Sequence, residues 1–282
     1  MLLNPFTFHA PESISQAAEL YSSLENVKLQ AGGTFLLNNL KLLKRKGVKT
    51  PDHIISLKKV PGLKGICEDK GAIVIKAMTT MSELLDSPLL KGNAGILKVA
   101  AKNIGTSQIR NMATVGGNLT CRYTWTEMPA VMVGLEADLC FAGPDGKQEN
   151  VSAEEFFAGG AKTDKLFVHA AIKKDTKALV TYHRVKKSPH LDIPLLSLLI
   201  KTNRDGKKFK NTRVAVNNCV AFTQRDRALE DLINQSGPSK NLAQEALNHL
   251  DEAIYDVRSS DYKKHMFRVA IKDALTEIIG EK

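Results

Sequence analysis

Val27-Lys28-Leu29-Gln30-Ala31-Gly32-Gly33-Thr34 sets the architecture of the chain's first part. Its first five residues alternate apolar and polar, as a half-buried strand does, and Gly32-Gly33 stops them. Beyond the glycines, Leu36, Leu40 and Leu43 share one face of a helix, with Gly47 at its C′ position. His53 to Leu57 reads as the next strand. Strand, glycine turn, helix and strand make a small βαβ-like unit. Upstream, Ser13 caps a helix whose apolar positions are Ile14, Ala17, Ala18, Tyr21 and Leu24.

A second glycine pair lies further on, in Thr114-Val115-Gly116-Gly117-Asn118. Such a pair lets backbone N–H groups converge on a phosphate oxygen. The helix after Gly33 adds its positive N-terminal end. Thr34, Thr114 and Asn118 supply short side-chain donors. Two such corners could grip a pyrophosphate from both sides. A Gly-Gly pair is also an ordinary tight turn, and the residues alone leave both readings open.

Outward from the corners, Ala72 to Ala77 reads as a strand, residues 80–90 and 94–103 as helices, and Met128 to Leu135 as an apolar helix. Gly143-Pro144-Asp145-Gly146 is a hairpin turn entered from Leu139 to Phe141. Leu166–Ile172, Ala178–Val185 and Val214–Phe222 read as strands, and residues 240–256 and 260–279 as two long helices. Helices grouped after strands point to α+β. The expected divisions are 1–57, 58–177 and 178–282.

Several classes are excluded. The longest stretch without Lys, Arg, Asp or Glu is Leu29 to Leu40, twelve residues, against about 18 for a membrane helix. The N-terminus lacks the pattern of a secretory signal. Cys67, Cys121, Cys140 and Cys219 form no CxxC pair, so reduced thiols in a cytoplasmic protein are expected. GxGxxG, GxxxxGK[ST], HExxH and GxSxG are all missing. The net charge of +10, from 40 Lys and Arg against 30 Asp and Glu, fits an acidic partner or an anionic cofactor. The basic clusters at 41–49, 183–187 and 205–210 lack the interleaved aromatics of a nucleic-acid groove and read as solvated surface.

Leu29-Gln30-Ala31-Gly32-Gly33-Thr34 resembles the first flavin-binding loop of the FAD-binding medium subunits of molybdenum hydroxylases, the carbon monoxide dehydrogenase and xanthine dehydrogenase type. Residues 104–119, IGTSQIRNMATVGGNL, are similar to that family's second loop, IRN, a spacer, then T-[IV]-G-G-N. Pro11-Glu12-Ser13, Tyr182-His183-Arg184 with Asp192, and Ser259 to His265 resemble further family segments in order. The resemblance implies an α+β chain: a two-subdomain PCMH-type FAD-binding fold, then a C-terminal α+β domain of antiparallel sheet and helical bundle.

It also implies FAD as cofactor, with the pyrophosphate held by Ala31, Gly32, Gly33, Thr34, Phe35, Thr114, Gly116, Gly117 and Asn118, and Leu29 leading in. Ile104 would lie near the isoalloxazine, Leu166 near the ring or its tail, Glu127 at polar groups of the cofactor, and Arg184 near the flavin, where a cation would raise its midpoint potential. No catalytic acid or base and no metal ligand is expected. The implied role is electron transfer beside a large molybdopterin subunit and a small [2Fe–2S] subunit, in a dimer of heterotrimers. The alternatives are a stand-alone flavoprotein oxidoreductase or a basic nucleic-acid-binding module.

Two departures stand out. Phe35 replaces the family's usual Asp or Ser. Residues 121–127, CRYTWTE, replace a run of small residues, Pro and Asp. Trp125 reads as packing or interface, or as a flavin stacker, and Tyr182 as core. Cys121 reads as a small buried residue; as the lone cysteine of that stretch it supports no iron–sulfur cluster.

Overall fold

The computed structural model describes residues 3–188, 193–218, 222–239, 241–256 and 260–280. Asp192, Cys219 and Ser259, all singled out above, lie outside them.

The first sheet is parallel throughout. Strand β1 (Thr7–His9) leads to helix α1 (Ile14–Ser23), capped by the Ser13 side chain. Strand β2 (Val27–Gln30), helix α2 (Leu36–Arg45) and strand β3 (His53–Ser56) follow. The strand order is β1-β3-β2. Parallel pairing needs a crossover, and α2 supplies it between β2 and β3.

The second sheet is antiparallel, in the order β4-β5-β8-β6-β7. Strands β4 (Ile66–Asp69) and β5 (Ala72–Lys76) form a hairpin. Helices α3 (Met81–Asp86), α4 (Ile96–Lys102), α5 (Ser107–Arg110), α6 (Val115–Thr120) and α7 (Met128–Gly134) come next. Strands β6 (Asp138–Ala142) and β7 (Gln148–Ser152) flank the Gly143–Gly146 turn, and α8 (Ala153–Ala158) precedes β8 (Leu166–Lys173).

The third sheet, β12-β11-β10-β9, is again antiparallel. It comprises β9 (Leu179–Lys186), β10 (Pro194–Asp205), β11 (Lys208–Asn217) and β12 (Gln224–Arg225). Helices α9 (Arg227–Gln235), α10 (Leu242–Ala246), α11 (Glu252–Asp256) and α12 (Asp261–Ile279) complete the chain.

Two cores result, and β10 belongs to both. Leu196, Leu198 and Ile200 face the helices, packing with Leu229, Ile233, Leu242, Phe267 and Ala274. Leu199 turns the other way, into the core built on the second sheet and α7. This is the period-2 alternation of a strand covered on both faces.

Two expectations are corrected. Residues 240–256 form two short helices, α10 and α11, rather than one. The break falls before Asp251, whose carboxylate accepts the N–H of Ala253 at 3.1 Å and starts the next turn. The strand expected at Val214–Phe222 begins at Lys208 and ends at Asn217, because its polar half pairs with the polar end of β10. The Gly116-Gly117 pair lies in the first turn of α6.

Candidate functional site

The two glycine corners meet. A Cβ on Gly32 would lie 1.9 Å from the carbonyl oxygen of Met112 and 3.2 Å from Cα of Ala113, so the first corner abuts the backbone leading into Thr114. The Cβ of Ala31 lies 3.8 Å from where a Cβ on Gly117 would stand. No side chain fits between the lobes at Gly32, and glycine is the residue that permits this approach.

The corners differ in what they present. In the first, Gly33 takes φ +70 and leads into α2. The N–H groups of Gly32, Gly33, Thr34 and Phe35 have no acceptor among the described residues. Four successive donors at a helix N-terminus form an anion-binding concavity. Phe35, the residue before α2, makes no side-chain cap that would compete for them. Leu29 in β2 is partly buried and packs against the first core.

In the second corner the N–H groups of Val115 to Asn118 are engaged. Val115 N–H donates to Thr79 O at 2.9 Å and Gly116 N–H to Ala77 O at 2.8 Å. Thr114 caps α6, its hydroxyl accepting Gly117 N–H at 3.1 Å, and its carbonyl accepts Asn118 N–H at 3.0 Å. The two corners are therefore unequal: the first offers donors, and the second offers a rigid wall stitched to the end of β5. Asn118 Oδ1 accepts Met128 N–H at 3.0 Å, at the start of α7, which leaves its amide NH₂ as a donor on the corner.

Glu127 and Arg184 are brought together. Arg184 Nε donates to Glu127 Oε1 at 2.5 Å, and the Tyr182 hydroxyl donates to Glu127 Oε2. The two charged side chains are only 7% and 4% exposed. Burial lifts the Glu127 carboxyl above its ordinary value, against the pull of Arg184 and Tyr182. Burial also holds the Tyr182 phenol well above its usual range, with the neighbouring Glu127 adding to it. Arg184 is thus not a bare cation: a carboxylate in direct contact offsets its charge. The group sits one residue from Met128, so it is joined through the α7 start to Asn118.

Ile104 is partly buried against the first core, and its carbonyl and that of Gly105 accept from Arg110 Nη1 at 3.2 and 2.7 Å. Leu166 is fully buried at the start of β8. Its neighbour Phe167 is the β8 residue at the corner, with Cδ1 3.2 Å from a Cβ position on Gly116. Sequence reasoning did not anticipate Phe167, because period-2 alternation in β8 does not say which face meets the corner.

Cys121 is half-buried, its thiol raised by burial. His183 hydrogen-bonds Glu277 of α12 at 3.1 Å. Among the described residues, no group of three His, Cys, Asp or Glu side chains could hold a metal, and no helix is long and apolar enough to cross a membrane.

A parallel βαβ lobe and an antiparallel lobe thus meet at two glycine corners, the first of which carries unpaired amides of the kind that bind an anion. Residues 4–185 match the family described as the FAD binding domain in molybdopterin dehydrogenase. The carbon monoxide dehydrogenase medium chain of Hydrogenophaga pseudoflava is 29% identical over 280 residues, covering 96% of both chains. The glyceraldehyde dehydrogenase medium chain of Sulfolobus acidocaldarius is 24% identical, covering 97% of this chain and 98% of its own. A solved carbon monoxide dehydrogenase from Hydrogenophaga pseudoflava superposes with a TM-score of 0.89 at 28% identity, covering 98% of each chain. The chain belongs to the FAD-binding medium subunits of the molybdenum hydroxylases, an oxidoreductase family with FAD as cofactor.

Proposed function

We propose that the chain is the electron-transfer subunit of a molybdenum-containing hydroxylase or dehydrogenase complex. The chemistry that the bound flavin supplies is redox: electrons taken singly from [2Fe–2S] centres of a partner and passed on to a terminal acceptor. The observation that carries the reading is the contact of the two glycine corners, with four successive N–H groups of Gly32 to Phe35 lacking acceptors.

These amides hold the pyrophosphate in this reading. Thr114, Gly116 and Gly117 shape the opposing wall, Ala31 abuts it from the first corner, and Asn118 and Thr34 contribute side-chain donors. Ile104 borders the ring, and Leu166 is a core residue behind it. Glu127 and Arg184 act as one paired group that fixes the α7 start and so orients Asn118; they position rather than touch.

The partners in this reading are a large molybdopterin subunit and a small [2Fe–2S] subunit, as a dimer of heterotrimers in the cytoplasm. Medium-chain and medium-subunit names among the relatives support the multi-subunit part of this reading. The divisions at 57 and 177 belong to the same reading, supported by the three separate sheets. A visible spectrum of the purified complex tests the cofactor: flavin bands are expected at one FAD per chain. A colourless chain that binds oligonucleotide with a steep salt slope would overturn it. Co-purification with mass spectrometry tests the partners.

A further inference from the structure

The chain's two departures from its family's pattern meet in space. The Phe35 ring lies 4.4 Å from that of Tyr123 and 5.8 Å from that of Trp125, centroid to centroid. Tyr123 and Trp125 are 5.3 Å apart. One ring thus comes from the first corner and two from the segment leaving the second. All three are half-buried, so part of each ring remains open.

This cluster is contiguous with the anion-binding amides, because Phe35 belongs to both. Its N–H is the last of the four unpaired donors, and its side chain is the first of the three rings. A phosphate on those amides therefore touches the residue that opens the ring cluster, and a ring carried by that phosphate lies within reach of it. Neither the Tyr123 hydroxyl nor the Trp125 indole N–H has an acceptor among the described residues. Rings with one apolar face and one polar edge are suited to a planar heterocycle.

The segment is also held firmly. Thr126 O accepts from Asn217 Nδ2 at 2.7 Å, and Thr124 donates to Asn218 Oδ1 at 3.0 Å. Glu127 is fixed by Tyr182 and Arg184. Tyr123 and Trp125 are therefore presented on anchored backbone, which lowers the ordering cost of a contact.

We propose that Phe35, Tyr123 and Trp125 form an aromatic wall of the dinucleotide site, against which one heterocyclic ring of the bound dinucleotide packs. This rests on the FAD reading above.

The test uses the full chain, stripped of nucleotide and titrated calorimetrically with FAD, ADP, FMN and inorganic pyrophosphate. Trp125→Ala is expected to weaken FAD by roughly tenfold, the scale of one ring-on-ring stack. Trp125→Phe should restore most of it, and pyrophosphate affinity should stay unchanged. A loss shared by ADP places adenine on the wall; a loss shared by FMN places the isoalloxazine there. Trp125 is the chain's single tryptophan, so ADP, which does not absorb its emission, should perturb its fluorescence in the first case. Unchanged FAD affinity in Trp125→Ala overturns the proposal, as does an equal loss for pyrophosphate, which would mean that the rings only hold the corner in shape. Tyr123→Leu serves as the second variant should Trp125→Ala fail to fold. Wild-type chain that binds none of the four ligands would sink the FAD reading itself, and this proposal with it.

Discussion

A Cβ placed on Gly32 would stand 1.9 Å from the carbonyl oxygen of Met112. The obstacle is backbone, not the far end of a flexible side chain, so it cannot swing aside. Gly32→Ala is therefore expected to force the two lobes apart. Flavin content should fall at least tenfold in the purified protein, while far-UV circular dichroism changes little. Full flavin retention in Gly32→Ala would show that the corner contact is not what holds the cofactor.

The buried Glu127–Arg184 pair gives a second expectation. Removing one partner leaves the other charge buried and costs about 3–5 kcal/mol. Arg184→Gln should lower the urea midpoint strongly, and Glu127→Gln added to it should recover much of the loss. Because Glu127 already offsets the guanidinium, the midpoint potential of flavin retained by the double variant should differ little from wild type. A large negative shift there would restore Arg184 as a bare cation beside the flavin. Equal instability of single and double variants would deny the pairing.

How much of this was legible in the sequence depends on the range of the signal. The unit β2–α2–β3 and the hairpin at Gly143–Gly146 are written in local periodicity and turn residues, and both stand in the structure. Asp226 carries a local cap signal as well, accepting Leu229 N–H at 2.9 Å to start α9, and that helix was nonetheless overlooked. The β10–β11 hairpin was hidden for a different reason: its outer half is charged, and strand pairing there comes from backbone partners rather than from an apolar pattern. At the site, the glycine corners were visible as motifs. That the second has its amides engaged by Ala77 and Thr79 was not, because those partners lie far away in sequence. The aromatic cluster is similar: Phe35 and residues 121–127 looked like two unrelated departures until packing joined them.

Acid sensitivity should come in part from the seam between the second and third sheets. Burial acts to raise the Glu136 carboxyl, but Lys201 at 2.6 Å and Arg213 at 2.6 Å outweigh it and hold the group below its ordinary value. A carboxyl lowered on folding contributes stability above its unfolded pKa, and that contribution is lost as pH falls through the folded pKa. The melting temperature should hold down to about pH 5 and drop below about pH 4, where free Glu protonates. Glu136→Gln should be less stable at neutral pH and show a shallower acid drop. An identical acid limb in the variant would remove Glu136 from the account. Because the carboxyl is 40% exposed, added salt should shrink the difference between the two proteins.

The same seam is sealed by close packing at Gly134, the last residue of α7. A Cβ there would lie 2.2 Å from Leu199 Cδ2 and 3.5 Å from Cβ of Ala215. Leu199 is fully buried on the face of β10 turned toward α7, so its displacement disturbs the core that joins the second sheet to the third. The offending atom ends a side chain, so the fold should survive, at a cost of about 1–3 kcal/mol for overpacking. Gly134→Ala should lower the urea midpoint accordingly, and Gly134→Ala with Leu199→Val should recover part of it by removing the atom in the way. The double variant has a measurable signature beyond stability: α7 begins at Met128, whose N–H holds Asn118, so a restored helix seat should restore flavin retention as well. If Gly134→Ala is as stable as wild type, α7 docks more loosely than the 2.2 Å approach requires; if the double variant is worse than either single one, the strain lies elsewhere than at Leu199.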